Sequence, residues 1–495
     1  MKQSPHIHKF NTNGNHYIYD VNTNNIIRTS QIIYDIINDY GTLPSSAIIR
    51  KWTKKYETKS IRESLNSIHK SYKSQGVFSS ERPTTMIYPM SEKDFCESLQ
   101  DELGALTLNV TERCNLRCKY CSYSGTYYYE RKHSMRNMSW RVAKKAIDYF
   151  YSHSQASEKV NIGFYGGEPL LNFNLIRKSI EFIKEFTNWP PITFHITTNG
   201  TLVLNEKIMR FIIDNDVLLQ VSINGPSEEH DRYRVFRNGK GSFNSVFKNM
   251  QKLQAMDKDY YKRRVSFSIT LAPPYNLLEL YQFFSSNEVV AKNAPIVTSV
   301  SRYDTDFFKI FSEQVKKSQF SEHRKILREQ YIDSITTTGK ESVNEFLSQL
   351  FQPRLIEIHR RKLKPMGAYC PPNGICVPGV RKLFVDVEGK FYPCERVGAA
   401  FCIGNVNTGI ERRKVRSVIK RYIDDSTEDC TNCWVVRLCG LCIASARKNH
   451  HFDYGRKREH CSNERFNFHK SLITYAEIME RNPKAFDFVK DMTFS

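Results

Sequence analysis

The sequence predicts an α/β protein: a partial, open (β/α)6 barrel set between an N-terminal winged helix-turn-helix and a C-terminal cysteine-rich domain. Three observations lead there. Six short apolar runs between residues 105 and 300 alternate with helix-period segments, the signature of parallel strands joined by right-handed crossovers. A closed eight-unit barrel would need two more such units. Short strands and three small helices fill the first ninety residues, and nine of the thirteen cysteines lie between residues 370 and 461.

In chain order, HKFNTNGNHYIYDVNTNNIIRTS offers two alternating strands around the turn text Asn13-Gly14. Helices follow near Ser30–Tyr40, Pro44–Tyr56 and Lys59–Gln75, and a last short strand is expected at Gly76-Val77-Phe78. Strands are expected at Ala105–Val110, Val160–Phe164, Ile192–Thr197, Val217–Ile223, Val265–Leu271 and Ile296–Val300. Ser139 is a natural cap for a helix carrying Trp140, Ala143, Ile147 and Phe150 on one face. Leu175–Phe186 and Phe243–Met256 keep the same period. Residues 302–365 read as a charged helical bridge that Pro353 divides. The expected domains are therefore 1–90, 100–301, 302–365, 366–465 and a helical tail at 466–495.

Chemistry concentrates at the expected strand ends, where open α/β sheets bind ligands. The first strand runs into TERCNLRCKYC, with Cys114, Cys118, Tyr120 and Cys121. Three thiolates on one loop can hold three irons of a [4Fe–4S] cluster, whereas a saturated cluster takes four. A zinc knuckle is the competing reading, but the nearest histidine is His133. The second strand ends in GFYGGEP, with Gly166, Gly167 and Glu168: glycines admit close approach, and a carboxylate can bind an amine. The third ends in TTNG and the fourth in VSINGP, followed by HDRYR. Near the C-terminus, Cys370, Cys376 and Cys394 precede Cys430, Cys433, Cys439, Cys442 and Cys461, in the spacing C-x12-G-x4-C, then C-x2-C-x5-C-x2-C.

The CxxxCxxC triplet with its aromatic, followed by GGE, resembles the radical S-adenosylmethionine (SAM) enzymes. That resemblance implies a [4Fe–4S] cluster on Cys114, Cys118 and Cys121, whose open iron chelates SAM and whose electron releases a 5′-deoxyadenosyl radical. It implies SAM contacts at Tyr120, Gly166, Gly167, Glu168, Ser222, Arg234 and Ser268, with Thr270 beside the ribose. Asn224 departs from the SxDGP text of the peptide-modifying branch, so the resemblance assigns no catalytic acid or base. The later cysteines resemble a SPASM domain, which implies two auxiliary [4Fe–4S] clusters. Cys370, Cys376, Cys394 and Cys442 would hold the first; Cys430, Cys433, Cys439 and Cys461 would hold the second. The two residues between Cys439 and Cys442 are one fewer than usual. The first ninety residues are similar to a PqqD-type unit that holds the leader of a precursor peptide.

Together these imply an enzyme that cross-links a ribosomally made precursor peptide, binding its leader and core and drawing electrons from a ferredoxin- or flavodoxin-type reductant. A thioether is one expected product. An anaerobic sulfatase-type formylglycine maturase is the alternative within the superfamily. From another class, a zinc-dependent, nucleic-acid-binding winged-helix protein is motivated by the net charge of +21. Lys and Arg are spread along the whole chain, so the charge alone names no partner, and the resemblance of the rest of the chain makes leader binding the favoured role over nucleic acid. No apolar run approaches the ~18 residues of a membrane span. Without an apolar signal stretch, and with thirteen cysteines better suited to metal than to disulfides, the expected location is cytoplasmic.

Overall fold

The computed structural model describes residues 3–491 apart from 89, 125, 129, 204, 292, 294, 303, 317, 318 and 450; the last four residues of the expected tail, 492–495, lie outside the described residues. Its centre is one ten-stranded sheet. Before that sheet come β1 (Ile7–Asn11), β2 (His16–Asp20) and β3 (Asn25–Thr29), an antiparallel trio in the order β1-β2-β3, followed by α1 (Gln31–Ile36), α2 (Ser45–Trp52) and α3 (Thr58–Gln75). This unit has its own core, in which Ile18 meets Ile36, Ile48, Ile61, Leu65 and Ile68.

Two details differ from the sequence reading. A third strand, β3, forms at Asn25–Thr29, in a stretch where two strands are expected. No strand forms at Gly76–Phe78. Gly76 (φ 69°) and Phe78 (φ 65°) are left-handed, and the Phe78 N–H donates to the Asp20 carboxylate at 2.6 Å instead of entering a ladder. The chain next pairs at β4 (Thr85–Met86) and enters α4 (Glu92–Asp101).

The barrel strands are β5 (Ala105–Thr111), β6 (Val160–Gly166), β7 (Ile192–Thr198), β8 (Leu218–Ser222), β9 (Val265–Leu271) and β10 (Pro295–Ser299), all parallel and adjacent in chain order. Their crossovers carry α5 (Trp140–Ser152), α6 (Phe173–Ile183), α7 (Glu206–Asp214), α8 (Ser227–Asp231), α9 (Phe243–Met256), α10 (Lys258–Arg264) and α11 (Leu277–Ser286). Ser139 caps α5, its hydroxyl accepting from the Val142 N–H at 3.3 Å. Ala143, Ala146, Ile147 and Phe150 then bury one face against the sheet.

The bridge holds α12 (Phe307–Ile310), α13 (Ser312–Lys316), α14 (Phe320–Thr337) and α15 (Glu345–His359). Pro353 does not divide it; α15 runs straight through. Losing one helical hydrogen bond and adding ring strain costs about 3 kcal/mol, which the burial of Phe351, Leu355, Ile356 and Ile358 offsets. The break falls instead at Gly339 (φ 79°), before Asn344 caps α15 through the Phe346 N–H at 2.8 Å.

The cysteine-rich region extends the barrel sheet. After β11 (Tyr369–Cys370), which pairs with β4, β12 (Leu383–Val385) adds parallel to β5, and β13 (Lys390–Tyr392), β14 (Gly404–Asn405) and β15 (Gly409–Ile410) continue antiparallel. Two helices complete the chain, α16 (Arg412–Thr431) and α17 (Tyr454–Arg481). No helix among the described residues is long and apolar enough to cross a membrane.

The N-terminal unit is pinned to this region. His8 stacks on Trp434 with ring centroids 3.6 Å apart, and Thr12 and Tyr17 each donate to Glu480 at 2.7 Å. The Arg437 guanidinium donates to the carbonyls of Asn22 (2.7 Å) and Lys364 (2.8 Å).

Candidate functional site

β5 ends by delivering Cys114, Cys118 and Cys121 to one wall of a 150 Å³ cavity, and the ends of β6, β7 and β8 close it. Cys114 and Cys118 are buried and Cys121 is partly so. Backbone amides point at the sulfurs: Leu116 N–H to Cys114 Sγ and Tyr123 N–H to Cys121 Sγ, both at 3.4 Å. Burial, reinforced by Glu168, pushes the Cys114 thiol up to about 11. Burial and the neighbouring Cys118 push Cys121 up to about 12. Such thiols become ligands when a cation compensates the thiolate.

Gly166 and Gly167 serve an approach the sequence reading did not foresee. A Cβ on Gly166 (φ 147°) would lie 2.1 Å from the Thr111 carbonyl oxygen, and one on Gly167 would lie 2.2 Å from that of Arg113. The glycines therefore bring β6 against the cysteine loop itself, and the Gly167 and Glu168 N–H groups donate to those same two carbonyls at 2.9 and 2.7 Å. Glu168 is fully buried. Its carboxylate accepts from the Asn199 N–H (2.7 Å), the Thr198 hydroxyl (2.7 Å) and the Leu170 N–H (3.1 Å). It ties β6 to β7 and is absent from the cavity lining, whereas Gly166 and Gly167 line it.

Tyr120, Ser222 and Arg234 also line the cavity. The Tyr120 hydroxyl accepts from Arg234 Nη1 at 2.9 Å and from Asn224 Nδ2 at 2.8 Å. Asn224 Oδ1 in turn accepts from the Thr270 N–H at 3.1 Å. Asn224 thus works as a strut between β9 and Tyr120. Arg234 is 7 % exposed, and its buried Nε has no hydrogen-bond partner. Ser268 sits beside Ser222 in the β8–β9 register, outside the cavity lining.

This donor set fits the expected pair of ligands. Three thiols surround one space, glycine backbone reaches its rim, and a buried cation with an unspent N–H suits a carboxylate. The residues Cys114, Cys118 and Cys121 would hold the iron–sulfur group, with Arg234 facing the SAM carboxylate.

The C-terminal cysteines fall into two sets. Cys430, Cys433, Cys439 and Cys461 line one small enclosed cavity with Tyr422, Lys457 and Glu464. Lys457, 1 % exposed, donates to the Ser426 hydroxyl at 2.7 Å and to Cys430 Sγ at 3.4 Å. Cys376, Cys394 and Cys442 form the second set: burial raises the Cys376 and Cys394 thiols, and Cys442 raises both further. Cys370, expected with that second set, lies on β11. Pairing of β11 with β4 fixes it where, after burial, it feels Arg437 and Cys430. Among the described residues no three Cys, His, Asp or Glu side chains converge as they would around a single ion. The thiols of the Cys430 set stand around a cavity, the disposition a multi-iron group needs.

Other polar groups here escaped the sequence reading. Tyr165, partly buried, lines the triplet cavity. Its hydroxyl is raised by burial first, then by Tyr123, Glu395 and Cys121, so it lies between the triplet and the Cys394 set. Burial would raise the Glu395 carboxyl, but Lys382, 2.7 Å away, outweighs it and holds the carboxyl below its ordinary value. Arg131 stacks over the Phe384 ring at 4.3 Å and donates to the Glu395 carbonyl at 3.4 Å. The available signals were adjacency for Tyr165 (before Gly166) and Glu395 (after Cys394), and helical i,i+4 spacing for Lys457 and Cys461.

Comparison with known proteins agrees with this geometry. Residues 108–285 match the Radical SAM superfamily. An uncharacterised protein of Methanocaldococcus jannaschii is 30% identical over 64% of this chain and 94% of its own. A cysteine-type anaerobic sulfatase-maturating enzyme of Clostridium novyi is 24% identical over 70% of this chain and 88% of its own. The radical SAM cyclopropyl synthase TigE of Paramaledivibacter caminithermalis is 23% identical over 54% of this chain and 59% of its own. The fold superposes on native anSMEcpe with bound AdoMet and Kp18Cys peptide at a TM-score of 0.53 and 19% identity, covering 79% of this chain and 99% of the other.

Proposed function

The chain belongs to the radical SAM superfamily, and from that premise we propose that this enzyme cross-links a ribosomally made precursor peptide. The observation that carries the proposal is the cavity where Cys114, Cys118 and Cys121 face Gly166, Gly167 and Arg234. Cys114, Cys118 and Cys121 would hold the iron–sulfur group, which with SAM would supply radical abstraction of a hydrogen from the peptide core. The chain's own residues do the rest. Arg234 orients the SAM carboxylate, Tyr120 holds Arg234, and Glu168 keeps the cavity floor closed. Glu395, whose carboxyl Lys382 holds below its ordinary value, would take the proton released as the bond forms.

The C-terminal cysteines would carry two auxiliary clusters, Cys430, Cys433, Cys439 and Cys461 on one, and Cys376, Cys394 and Cys442 with Cys370 on the other. The N-terminal unit would hold the leader. Among the described residues, its outer strand β3 pairs only with β2, which leaves an edge that an extended peptide can join as a fourth strand. Holding the leader raises the effective concentration of the core at the cavity.

Co-expression with a precursor peptide encoded beside the gene, followed by mass spectrometry, tests this reading: each cross-link removes two hydrogens. Iron and sulfide analysis of anaerobically purified enzyme should give about twelve irons per chain, and SAM with dithionite should yield 5′-deoxyadenosine. Formylglycine formation is the second reading, favoured by the sulfatase-maturating relative. It predicts loss of sulfur from a substrate cysteine, with no link between residues. The superfamily membership leaves no ground for a zinc-dependent nucleic-acid-binding protein.

A further inference from the structure

Cys114 is a shared wall. It lines the inner cavity and also an open outer groove of 420 Å³. The floor of that groove is apolar, from Met135, Leu171 and Phe236, and its lining holds two cations, Arg113 and Arg237, and no carboxylate. More positive charge follows from how the loop is held. The cysteine loop and residues 233–240 run side by side: the Arg117 and Lys119 N–H groups donate to the Val235 and Tyr233 carbonyls at 2.7 and 2.9 Å, and Leu116 bridges Phe236. Arg117, Lys119 and Lys240 lie on these two paired segments. Among the described residues none of these five cations joins an ion pair. The region's carboxylates are turned elsewhere, Glu112 to Arg136 and Ser134, and Asp231 to the Phe243 N–H. Arg117 and Arg237 instead hold the Cys114 carbonyl, at 2.9 and 3.1 Å.

We infer that this groove docks the enzyme's electron donor, an acidic one-electron carrier protein of the flavodoxin class. An unpaired cationic rim steers an anionic partner and is salt-sensitive, while a small apolar floor suits the short-lived contact that electron transfer needs. Met135, 69 % exposed, stands at that contact. The carrier ends one electron more oxidised and the iron–sulfur group behind Cys114 one electron more reduced; no bond forms or breaks. The substrate side of Cys114 stays free, because the carrier approaches from the opposite wall. This inference rests on the radical SAM assignment, which dithionite-driven cleavage of SAM by the unmodified enzyme tests separately.

The test uses full-length reconstituted enzyme and a purified acidic bacterial flavodoxin. Its affinity is titrated at low and high salt, and its oxidation by the enzyme is followed by stopped flow. Arg113→Glu with Lys240→Glu should weaken flavodoxin affinity at least tenfold and flatten its salt dependence, while dithionite-driven SAM cleavage holds. Unchanged affinity overturns the assignment. If the double variant loses iron, Lys119→Glu, an exposed side chain whose loop contact is through its backbone, decides in its place by the same criterion. A precursor peptide that displaces flavodoxin from the unmodified enzyme assigns the groove to substrate and also overturns it.

Discussion

Arg234 offers the sharpest test of the SAM pocket. Among the described residues it is the one Lys or Arg lining the cavity, and burial lowers His133 below its ordinary value. Its Nη1 is occupied by Tyr120 and its Nε is unspent. Direct contact with a carboxylate would be worth at most about 5 kcal/mol of Coulomb energy at an effective dielectric near 20. A charge-assisted hydrogen bond nets about 1.5–3 kcal/mol once desolvation is counted. Arg234→Met should therefore weaken SAM binding by about tenfold to 150-fold. Anaerobic titration of reconstituted enzyme measures it, with iron content as the control. Tyr120→Phe is the comparison: it strands the Asn224 and Arg234 donors, costs about 1–3 kcal/mol of stability, and leaves the cation in place. A SAM analogue without its carboxylate should bind Arg234→Met and the unmodified enzyme alike. A SAM affinity within threefold of the unmodified enzyme, at full iron content, would refute the role given to Arg234.

Other substitutions separate the remaining roles. Gly166→Ala drives a Cβ into the Thr111 carbonyl and should cost the Cys114 loop its iron–sulfur group, read as about four fewer irons per chain. Lys457→Met removes a buried cation and its hydrogen bond to Cys430 Sγ. The midpoint potential of the Cys430 group should fall by about 59 mV for each tenfold loss in preference for the reduced form, measured by EPR-monitored titration. Glu395→Gln should leave 5′-deoxyadenosine formation intact while lowering cross-linked product about 10²-fold; equal losses of both would refute its role. Burial lowers His6 to about 4 and His8 to about 3, so the folded state keeps both neutral while the unfolded chain protonates near 6.5. The unfolded state then binds more protons below pH 6.5, and stability falls as pH drops from there toward 4. Limited proteolysis should release the N-terminal unit faster at pH 5 than at pH 7.5.

Much of this was legible in the sequence because it is local. The barrel strands announce themselves by alternating apolar residues, and Ser139 starts its helix where capping chemistry requires. The thiol triplet and GGE sit at strand ends, where a parallel sheet gathers its ligand groups. What escaped the reading is non-local. β3, Asn25–Thr29, forms by pairing with β2 across the trio, Ile27 opposite Ile18. Pro353 sits inside a helix because burial around it outweighs one lost hydrogen bond. The work of Gly166 becomes visible only once Thr111 is seen pressed against it.

The parallel seam between β5 and β12 has a mechanical consequence. Leu383, Phe384 and Val385 lie in register with Leu106, Thr107 and Leu108, and β5 is the strand that hands over to Cys114. The cysteine-rich region is therefore welded to the barrel through the same strand that carries the triplet. It cannot swing out on a linker as a tethered module would without tearing a ladder in the middle of a ten-stranded sheet. The spacing between the two groups of thiols is a fixed length of the scaffold, insensitive to what occupies the cavity. Any motion that admits and expels a long peptide falls to the loops at the strand ends.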